Sequence, residues 1–479
     1  MKRAPFPAQP AADPLPPRAE TLPRWERWAV RVVLAVFVAV GINLIHSLAF
    51  IGQDYTFHVA CTESLMKNPG QWFTFDLTNR PLAYWIGATC AWFTHGRECW
   101  DLASLLFVFL NALALHLLHD STRHFITSPQ LRVAAVAFVA FLPPTLVTTV
   151  VYAADATAQL PFALVAWSLL RSIDARTTRA SAGYAGLAGI TLCLGNLAKF
   201  TFIFLPVAVV LIAVGLWRWK RITGRRSWTI GLLAAAVPVI ASGWVYFAAQ
   251  REVALYLAAQ HDVSPAKPRH NFDWKGTGEM TWSSLLLVKP LDVRIFQAPG
   301  YYDPPEAGAD THPLLTSNNY SYPALLHLGV FTDVLGYSNL GGGNEGTPRP
   351  EPQQTMARRA VRLGLLFSVP ACLAVVAFGG RTLRALCFRP ERAPPTGPLV
   401  WWTMALAWYL PLVLALPYLH HSYEWGYWLP RLILPALWGF ALVLFAAMDE
   451  LFTHRRLAAA VVVTLVGLQA AVHIRSVWF

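Results

Sequence analysis

Long apolar segments recur along most of the chain, and they constrain its fold more than any other feature. A helix that crosses the hydrocarbon core of a bilayer needs about 20 mostly apolar residues. Segments of this kind lie at 28–50, 101–119, 131–150, 156–171, 183–198, 200–217, 228–249, 360–378, 399–418, 429–448 and 456–474. The pattern predicts an all-α polytopic membrane protein with about 11 transmembrane helices.

The composition agrees with a protein that is solvated mostly by lipid. Of the 479 residues, 55% are hydrophobic and only 13% are charged, whereas a soluble domain is about one quarter charged. The hydrophobic content excludes a disordered chain, and six cysteines are too few for a disulfide scaffold. In a soluble protein the net charge of +12 would point to nucleic acid, so the positions of the charges decide its meaning.

The basic residues lie at alternate ends of the predicted spans. If the N-terminus is cytoplasmic, the inner segments hold 22 of the 38 basic residues but only 8 of the 26 acidic ones. Short loops rich in lysine and arginine stay in the cytoplasm, so the alternation predicts an odd number of spans with the C-terminus outside. The excess charge is then a signal for topology and for anionic membrane lipid, and nucleic acid is not expected as a partner.

The same pattern divides the chain into four parts. Residues 1–27 are basic and rich in proline, which predicts a disordered cytoplasmic tail. Residues 28–249 form an N-terminal transmembrane module, and its first outer loop, 51–100, contains segments typical of interfacial helices. A large outer loop at 250–359 and C-terminal transmembrane helices at 360–479 follow. Because the inner loops are short, we expect the chemistry on the outer face. The alanine-, leucine- and arginine-rich usage indicates a bacterium with a GC-rich genome and therefore a plasma or inner membrane, with the endoplasmic reticulum as the alternative.

Two carboxylates stand at the outer ends of predicted spans. Asp54 directly follows the first span, in the sequence Gly-Gln-Asp-Tyr-Thr-Phe-His. A carboxylate that is partly desolvated at this boundary is suited to act as a general base, and in a helix it would share a face with His58. Asp155 lies in the short outer turn between the third and fourth spans. For both residues the structural alternative is an N-cap of the helix that follows.

Three cations flank apolar segments on the same predicted side. Lys199 interrupts the apolar sequence between two spans, Arg80 precedes Pro81, and Arg431 follows Pro430. Arginine can bind a phosphate with two hydrogen bonds, and a lysine at this depth is suited to a lipid phosphate. The structural alternative for Lys199 is a side chain that extends to the aqueous interface.

The sequence lacks the motifs of soluble nucleotide-binding and metal enzymes. It contains no G-x-x-x-x-G-K-[ST] loop, no H-E-x-x-H and no paired C-x-x-C. No cofactor is indicated, and a divalent metal is compatible with the sequence without being supported by it. Cys61, Cys90 and Cys99 lie on the predicted oxidising side and could form one disulfide, whose partners the sequence does not select.

In their order along the chain, these features resemble a known family. They are Asp54 after a single span, an aromatic stretch with Trp72, the segment Arg80-Pro81-Leu82-Ala83-Tyr84-Trp85, Asp155, a glycine- and leucine-rich helix that ends near Lys199, and a Tyr-x-x-Pro-Arg-x-x-x-Pro segment at 427–435. They resemble the GT-C-fold integral membrane glycosyltransferases of the protein mannosyltransferase and lipid A aminoarabinose transferase type. The resemblance covers residues 1–220 and 400–440.

The resemblance implies an activity and a set of site residues. The donor would be a sugar on a polyprenyl phosphate, and the acceptor a lipid, a glycan or a protein. Because such a donor is already activated, the enzyme needs no nucleotide-binding domain. The family often has a glutamate before the basic residue that binds the phosphate, whereas this chain has Asn79, which puts a metal site there in doubt. The implied residues are Asp54 and Asp155 for catalysis, Arg80, Lys199 and Arg431 for the donor phosphate, and Tyr55, His58 and Tyr84 for the substrate pocket.

Two other classes of protein share the polytopic pattern. A transporter of lipids or solutes tends to show inverted repeats and charged residues at mid-span, whereas the centres of these spans are nearly free of charge. A polymerase or ligase of envelope polysaccharide would also have a large outer loop, but it would not require an aspartate directly after the first span. Flux across sealed vesicles without bond cleavage would identify a transporter.

Overall fold

The computed structural model describes residues 23–48, 55–67, 81–95, 99–244, 326–327, 330–331, 351–388, 393–423, 430–452 and 455–478. Within these ranges the chain is helical and contains no strand. The helices are α1 Arg24–Leu48, α2 Tyr55–Lys67, α3 Leu82–Phe93, α4 Cys99–Thr122, α5 Pro129–Ala140, α6 Pro143–Val150, α7 Gln159–Asp174, α8 Thr178–Ala198, α9 Leu205–Arg218, α10 Gly224–Gly231, α11 Glu351–Cys387, α12 Thr396–Tyr423, α13 Leu434–Leu451 and α14 Arg455–Trp478. Short 3-10 helices at Ala154–Thr157, Phe200–Phe204 and Pro430–Ile433 connect some of them, and α10 continues through a π-helical turn at Leu232–Ala236.

The described helices confirm the predicted all-α polytopic class. Eight are long and apolar enough to span a membrane: Arg24–Ile45, Cys99–Thr122, Phe200–Arg218, Gly224–Trp244, Arg359–Cys387, Thr396–Leu414, Leu434–Leu451 and Leu457–Arg475. The pair α5 and α6, bent by 56°, would form a ninth, and the bend falls where Pro143 and Pro144 cannot continue the preceding helix. The remaining predicted spans correspond to α7, which has only 16 residues, and to the glycine-rich α8.

The first helix begins at Arg24, four residues before the predicted start of the first span. The reason is a buried contact that the composition of the predicted tail does not reveal. Glu26 is fully buried and accepts two hydrogen bonds of 2.7 Å from the Arg132 guanidinium of α5, and His119 of α4 lies 3.0 Å from it. The first turn of α1 is therefore tied to α4 and α5. Residues 24–27 of the predicted disordered tail, 1–27, are thus helical, and residues 1–22 lie outside the described residues.

The helix bundle has two opposite ends. We call the end that carries the start of α1 the Arg24 end. The start of α5 lies there too, where the backbone N–H groups of Thr127 and Ser128 donate to Asp449 of α13 at 2.7 and 3.1 Å. The other end, the Lys199 end, carries the start of α9 and of α13, because both helices run back toward the Arg24 end. The candidate residues that the structure describes lie at the Lys199 end.

Two short helices of the first loop, α2 and α3, pack against each other at the Lys199 end, and α3 also packs against α4. They enclose a small buried cluster that includes Tyr84, Cys90, Cys99 and Tyr152. Burial and the nearby Cys99 raise the pKa of the Cys90 thiol. Cys90 and Cys99 are both free thiols, so the structure contains none of the three pairings considered for Cys61, Cys90 and Cys99. The large loop predicted at 250–359 lies mostly outside the described residues.

Candidate active site

A buried ion pair joins Asp155 and Lys199, two of the residues selected from the sequence. Asp155 belongs to the 3-10 helix between α6 and α7, and Lys199 directly follows α8. Their side chains are only 8% and 5% exposed. Neither structural alternative holds, because α7 is preceded by Ala158 without a side-chain cap and the Lys199 side chain is buried instead of extending to water.

The backbone at the end of α8 sets the position of Lys199. Its N–H still donates to the Gly195 carbonyl at 2.8 Å, but its φ of −154° and ψ of 142° are extended, so the helix stops there. The following 3-10 helix then packs back on α8. A Cβ atom at position 195 would lie 2.2 Å from the ring of Phe202, so this close approach requires glycine.

The turn that carries Asp155 is fixed by hydrogen bonds from α4 and from within itself. The amide nitrogen of Asn111 donates to the Ala156 carbonyl at 3.1 Å and to the Phe107 carbonyl at 2.9 Å. The Thr157 hydroxyl donates to the Ala154 carbonyl at 2.8 Å. The turn packs against α3, α4, α6, α7 and α8, so Asp155 sits where five helices meet.

Buried polar atoms without hydrogen-bond partners among the described residues lie on the same segments. They are Oδ1 of Asn111, Oε1 of Gln159 and Oγ1 of Thr201, and the three side chains are at most 1% exposed. Such a group costs about 1–3 kcal/mol when it is left without a partner in an apolar interior. Each of these atoms has less than 1 Å² of exposed surface, so a ligand could contact them only after the surrounding side chains move.

A network of hydroxyl groups connects the first-loop helices to the Asp155 turn. The Tyr152 hydroxyl shares a 2.6 Å hydrogen bond with Thr62 of α2 and donates to the Ala83 carbonyl of α3 at 3.2 Å. His58 of α2 and Tyr84 of α3 are both predicted to line the substrate pocket. A hydrogen bond of 3.0 Å between Nδ1 of His58 and the Tyr84 hydroxyl joins the two helices. Burial raises the pKa of Tyr152, so its hydroxyl stays protonated and available as a donor.

A contact between two aromatic rings, Phe202 and Trp408, brings the segment of Arg431 toward Lys199. The ring centroids of Trp408 (α12) and Phe202 are 5.0 Å apart, and the indole nitrogen of Trp408 donates to the Leu432 carbonyl at 2.9 Å. Phe202 follows Lys199 by three residues, and Leu432 follows Arg431 directly. The structure therefore places the backbone of Arg431 at the Lys199 end, although its side chain lies outside the description.

Three other predicted site residues lie at or just before the first residue of α2 or α3. Asp54 lies outside the described residues and directly precedes α2, whose first residue is Tyr55; the side chain of Tyr55 is not described either. Arg80 also lies outside the description, and it precedes Pro81, the residue that caps α3. The catalytic and binding roles inferred for these three residues stay predictions, as do those of Asp155, Lys199, Arg431, His58 and Tyr84.

The chain is similar to solved structures, although no protein-family model and no curated protein sequence matches it. The Saccharomyces cerevisiae protein O-mannosyltransferase Pmt1–Pmt2 complex bound to the sugar donor aligns with 95% of this chain and 90% of the matched chain, with a TM-score of 0.53 and 11% identity. The protein has a GT-C fold. The apo oligosaccharyltransferase of Archaeoglobus fulgidus aligns with 95% of this chain and 57% of its own, with a TM-score of 0.49 and 12% identity. Apo ArnT from Cupriavidus metallidurans aligns with 88% and 77%, with a TM-score of 0.36 and 16% identity.

This likeness confirms the fold that the resemblance implied. The structure also places near the ion pair residues that the sequence did not select for the site. Asn111, Tyr152, Gln159 and Trp408 are such residues. A polar side chain inside an apolar segment was the available signal for Asn111 and Gln159, whereas nothing distinguished Trp408 from the other tryptophans. Within the described part of the chain, no group of three or more His, Cys, Asp and Glu side chains could hold a metal ion.

Proposed function

We propose that this protein is a membrane glycosyltransferase that moves a sugar from a polyprenyl-phosphate donor to an acceptor on the outer face of a bacterial plasma or inner membrane. The buried Asp155–Lys199 pair at one end of a GT-C fold carries the proposal. It would offer a fixed cation to the phosphate of a lipid-linked donor. The yeast mannosyltransferase of the same fold was solved with its sugar donor bound, which supports the same class of substrate.

The chemistry that we propose is a displacement at the anomeric carbon of the sugar. An acceptor hydroxyl attacks this carbon, the bond from carbon to the phosphate oxygen breaks, and polyprenyl phosphate leaves with the electron pair. Asp54 takes the proton of the acceptor as general base. Lys199, Arg80 and Arg431 stabilise the negative charge that develops on the leaving phosphate.

Asp155 has a supporting role in this proposal. An ammonium group has three N–H donors, so an ion pair with Asp155 leaves Lys199 able to contact a phosphate oxygen. The carboxylate compensates the cost of burying the ammonium group and fixes its direction. Asp155 then acts on the donor through Lys199, while Asp54 acts on the acceptor.

The side of the membrane follows from the distribution of charge. The Arg24 end carries the basic loops that the positive-inside rule assigns to the cytoplasm. The Lys199 end would accordingly face outward, with the N-terminus inside. The polyprenyl chain would approach between helices from the outer leaflet.

The experiment compares purified wild-type protein with Asp54→Asn and with Glu63→Gln, which changes an exposed acid of the same loop. Each protein receives a polyprenyl-phosphate sugar and candidate acceptors, and the release of polyprenyl phosphate is measured. We expect Asp54→Asn to lose activity by about 10²–10⁴-fold, the usual contribution of a general base, and Glu63→Gln to stay active. A wild type that cleaves no donor, or an Asp54→Asn variant as active as Glu63→Gln, would refute the proposal. Donor movement across sealed vesicles without cleavage would indicate a transporter instead.

A further inference from the structure

A basic cavity lies at the Arg24 end, on the opposite side of the bundle from the Asp155–Lys199 pair. Its volume is about 380 Å³, and the loop between α9 and α10 forms its wall. Three cations line it, Lys220, Arg221 and Arg226, together with the ring of Trp217 and the Thr223 side chain. The proposed sugar transfer uses none of these residues.

Two arginines of this cavity donate hydrogen bonds to uncharged oxygen atoms of the protein. Arg221 donates to the Ala393 carbonyl at 3.0 Å and to the Thr396 hydroxyl at 3.2 Å, and Arg226 donates to the Ile173 carbonyl at 3.0 Å. Neither guanidinium forms an ion pair with a carboxylate in the part of the chain that the structure describes. Partial burial and the positive charge of Arg381 both lower the pKa of Arg221. The positive charge that remains in the cavity favours an anionic ligand.

Lys220 occupies a backbone position that usually requires glycine. Its φ is 58°, in the left-handed region. The N–H of Lys220 donates to the Trp217 carbonyl and the N–H of Arg221 to the Leu216 carbonyl, both at 2.9 Å, which is the Schellman pattern that ends α9. Glycine avoids the steric cost of this conformation. Lysine adopts this conformation at a steric cost, and it lines the cavity.

An apolar face of α9 leads away from the cavity into the membrane region. Val207, Val210, Leu211, Val214 and Trp217 recur at helical spacing, and each is between 44% and 60% exposed. A free inorganic anion would make no use of this face, whereas acyl chains would cover it. The basic cavity and the apolar face next to it thus complement the anionic headgroup and the apolar chains of a phospholipid.

We propose that this cavity binds the phosphate headgroup of an anionic phospholipid, whose acyl chains lie along the exposed face of α9. Lys220, Arg221 and Arg226 surround the phosphate, and the Trp217 ring lies at the boundary between headgroup and chains. The site is separate from the sugar-transfer site, so its test does not depend on the proposed enzyme activity.

The experiment measures how much phosphatidylglycerol and phosphatidylcholine stay bound to the full-length protein, by native mass spectrometry from mixed micelles. We expect the wild type to retain phosphatidylglycerol preferentially. The variant Arg221→Gln/Arg226→Gln is expected to lose this preference by about tenfold. The control variant, Arg176→Gln/Arg179→Gln, removes the same charge from exposed positions of the same end and is expected to behave as the wild type.

Lys220→Gly separates binding from folding. We expect it to raise the thermal unfolding midpoint, because glycine suits the left-handed position, and to lower the retention of phosphatidylglycerol at the same time. The proposal is overturned if Lys220→Gly and Arg221→Gln/Arg226→Gln both retain phosphatidylglycerol like the wild type, or if the control pair loses it equally. Inorganic phosphate that binds the lipid-free protein and displaces the lipid completely would identify a free-phosphate site and would also overturn the proposal.

Discussion

At the scale of single residues, the Asp155–Lys199 pair is the feature with the most direct chemical consequence. An ammonium without a counter-charge is costly to bury, and a partner carboxylate compensates that cost only when the geometry is good. Here the partner comes from a turn that Asn111 holds in place. The direction of the Lys199 side chain is therefore determined by α4, the Asp155 turn and α8 together.

We expect Lys199→Met and Asp155→Asn each to reduce sugar transfer by about 10²-fold, the usual effect of removing a charge-stabilising donor. The double variant is expected to be about as slow as the slower single variant, because both changes remove the same unit. Steady-state kcat and KM for the donor, measured on all three variants and the wild type, test this prediction. Lys67→Met, which changes an exposed lysine at the end of α2, is the control. Losses that multiply in the double variant would contradict a shared role.

At the scale of elements, the site depends on one close approach between a helix and the turn after it. The 3-10 helix Phe200–Phe204 packs on α8 only because position 195 has no side chain. The same contact orients Phe202 against Trp408, which in turn contacts the segment of Arg431. A substitution at Gly195 should therefore shift the positions of both Lys199 and the Arg431 segment.

Gly195→Ala is expected to destabilise the protein by about 1–3 kcal/mol, because the added methyl group overlaps the Phe202 ring. It should also raise the KM for the donor. Gly186→Ala, on the same helix, meets no atom within 4 Å and is expected to be neutral or to stabilise by up to about 1 kcal/mol, from helix propensity. Thermal unfolding in detergent and donor kinetics of the two variants provide the comparison. Equal effects of the two alanines would show that the packing at Gly195 does not matter.

At the scale of the whole molecule, buried charges at the Arg24 end hold the first helix to the rest of the bundle. Arg132 counts as a topogenic cation in the sequence, but it forms a bidentate pair with Glu26 and donates to the Ile126 carbonyl at 2.8 Å. Because α1 precedes α2 and the position of Asp54, this contact also anchors the element that leads into the proposed acceptor site.

Glu26→Gln is expected to lower the free energy of unfolding by about 3–5 kcal/mol, because it leaves the Arg132 charge buried without its partner. Glu450→Gln, which breaks the exposed pair with Arg381, should cost about 0–1 kcal/mol. Denaturant unfolding in detergent measures both variants under the same conditions. If the two losses are similar, the buried pair does not anchor α1.

The helical class and most helix positions could be predicted from the sequence. The predicted span 200–217 corresponds to the apolar helix Phe200–Arg218, and 101–119 to Cys99–Thr122. The prediction succeeds because a backbone in lipid must satisfy its hydrogen bonds internally, which leaves a helix as the main solution for each apolar segment. It was less accurate at the start of α1 and at the bend between α5 and α6, where a buried ion pair and two prolines set the local structure.

For the site, the residue types and their order along the chain could be predicted from the sequence, but not which of these residues contact each other. Asp155 and Lys199 were selected separately, as an acid and a phosphate ligand, and only the tertiary structure pairs them. The contacts of Tyr152 with Thr62 and of Trp408 with Leu432 were likewise decided by tertiary packing. The physical reason is that apolar periodicity is local and specifies a helix, whereas contacts between distant side chains depend on how helix surfaces fit together, which no local pattern encodes.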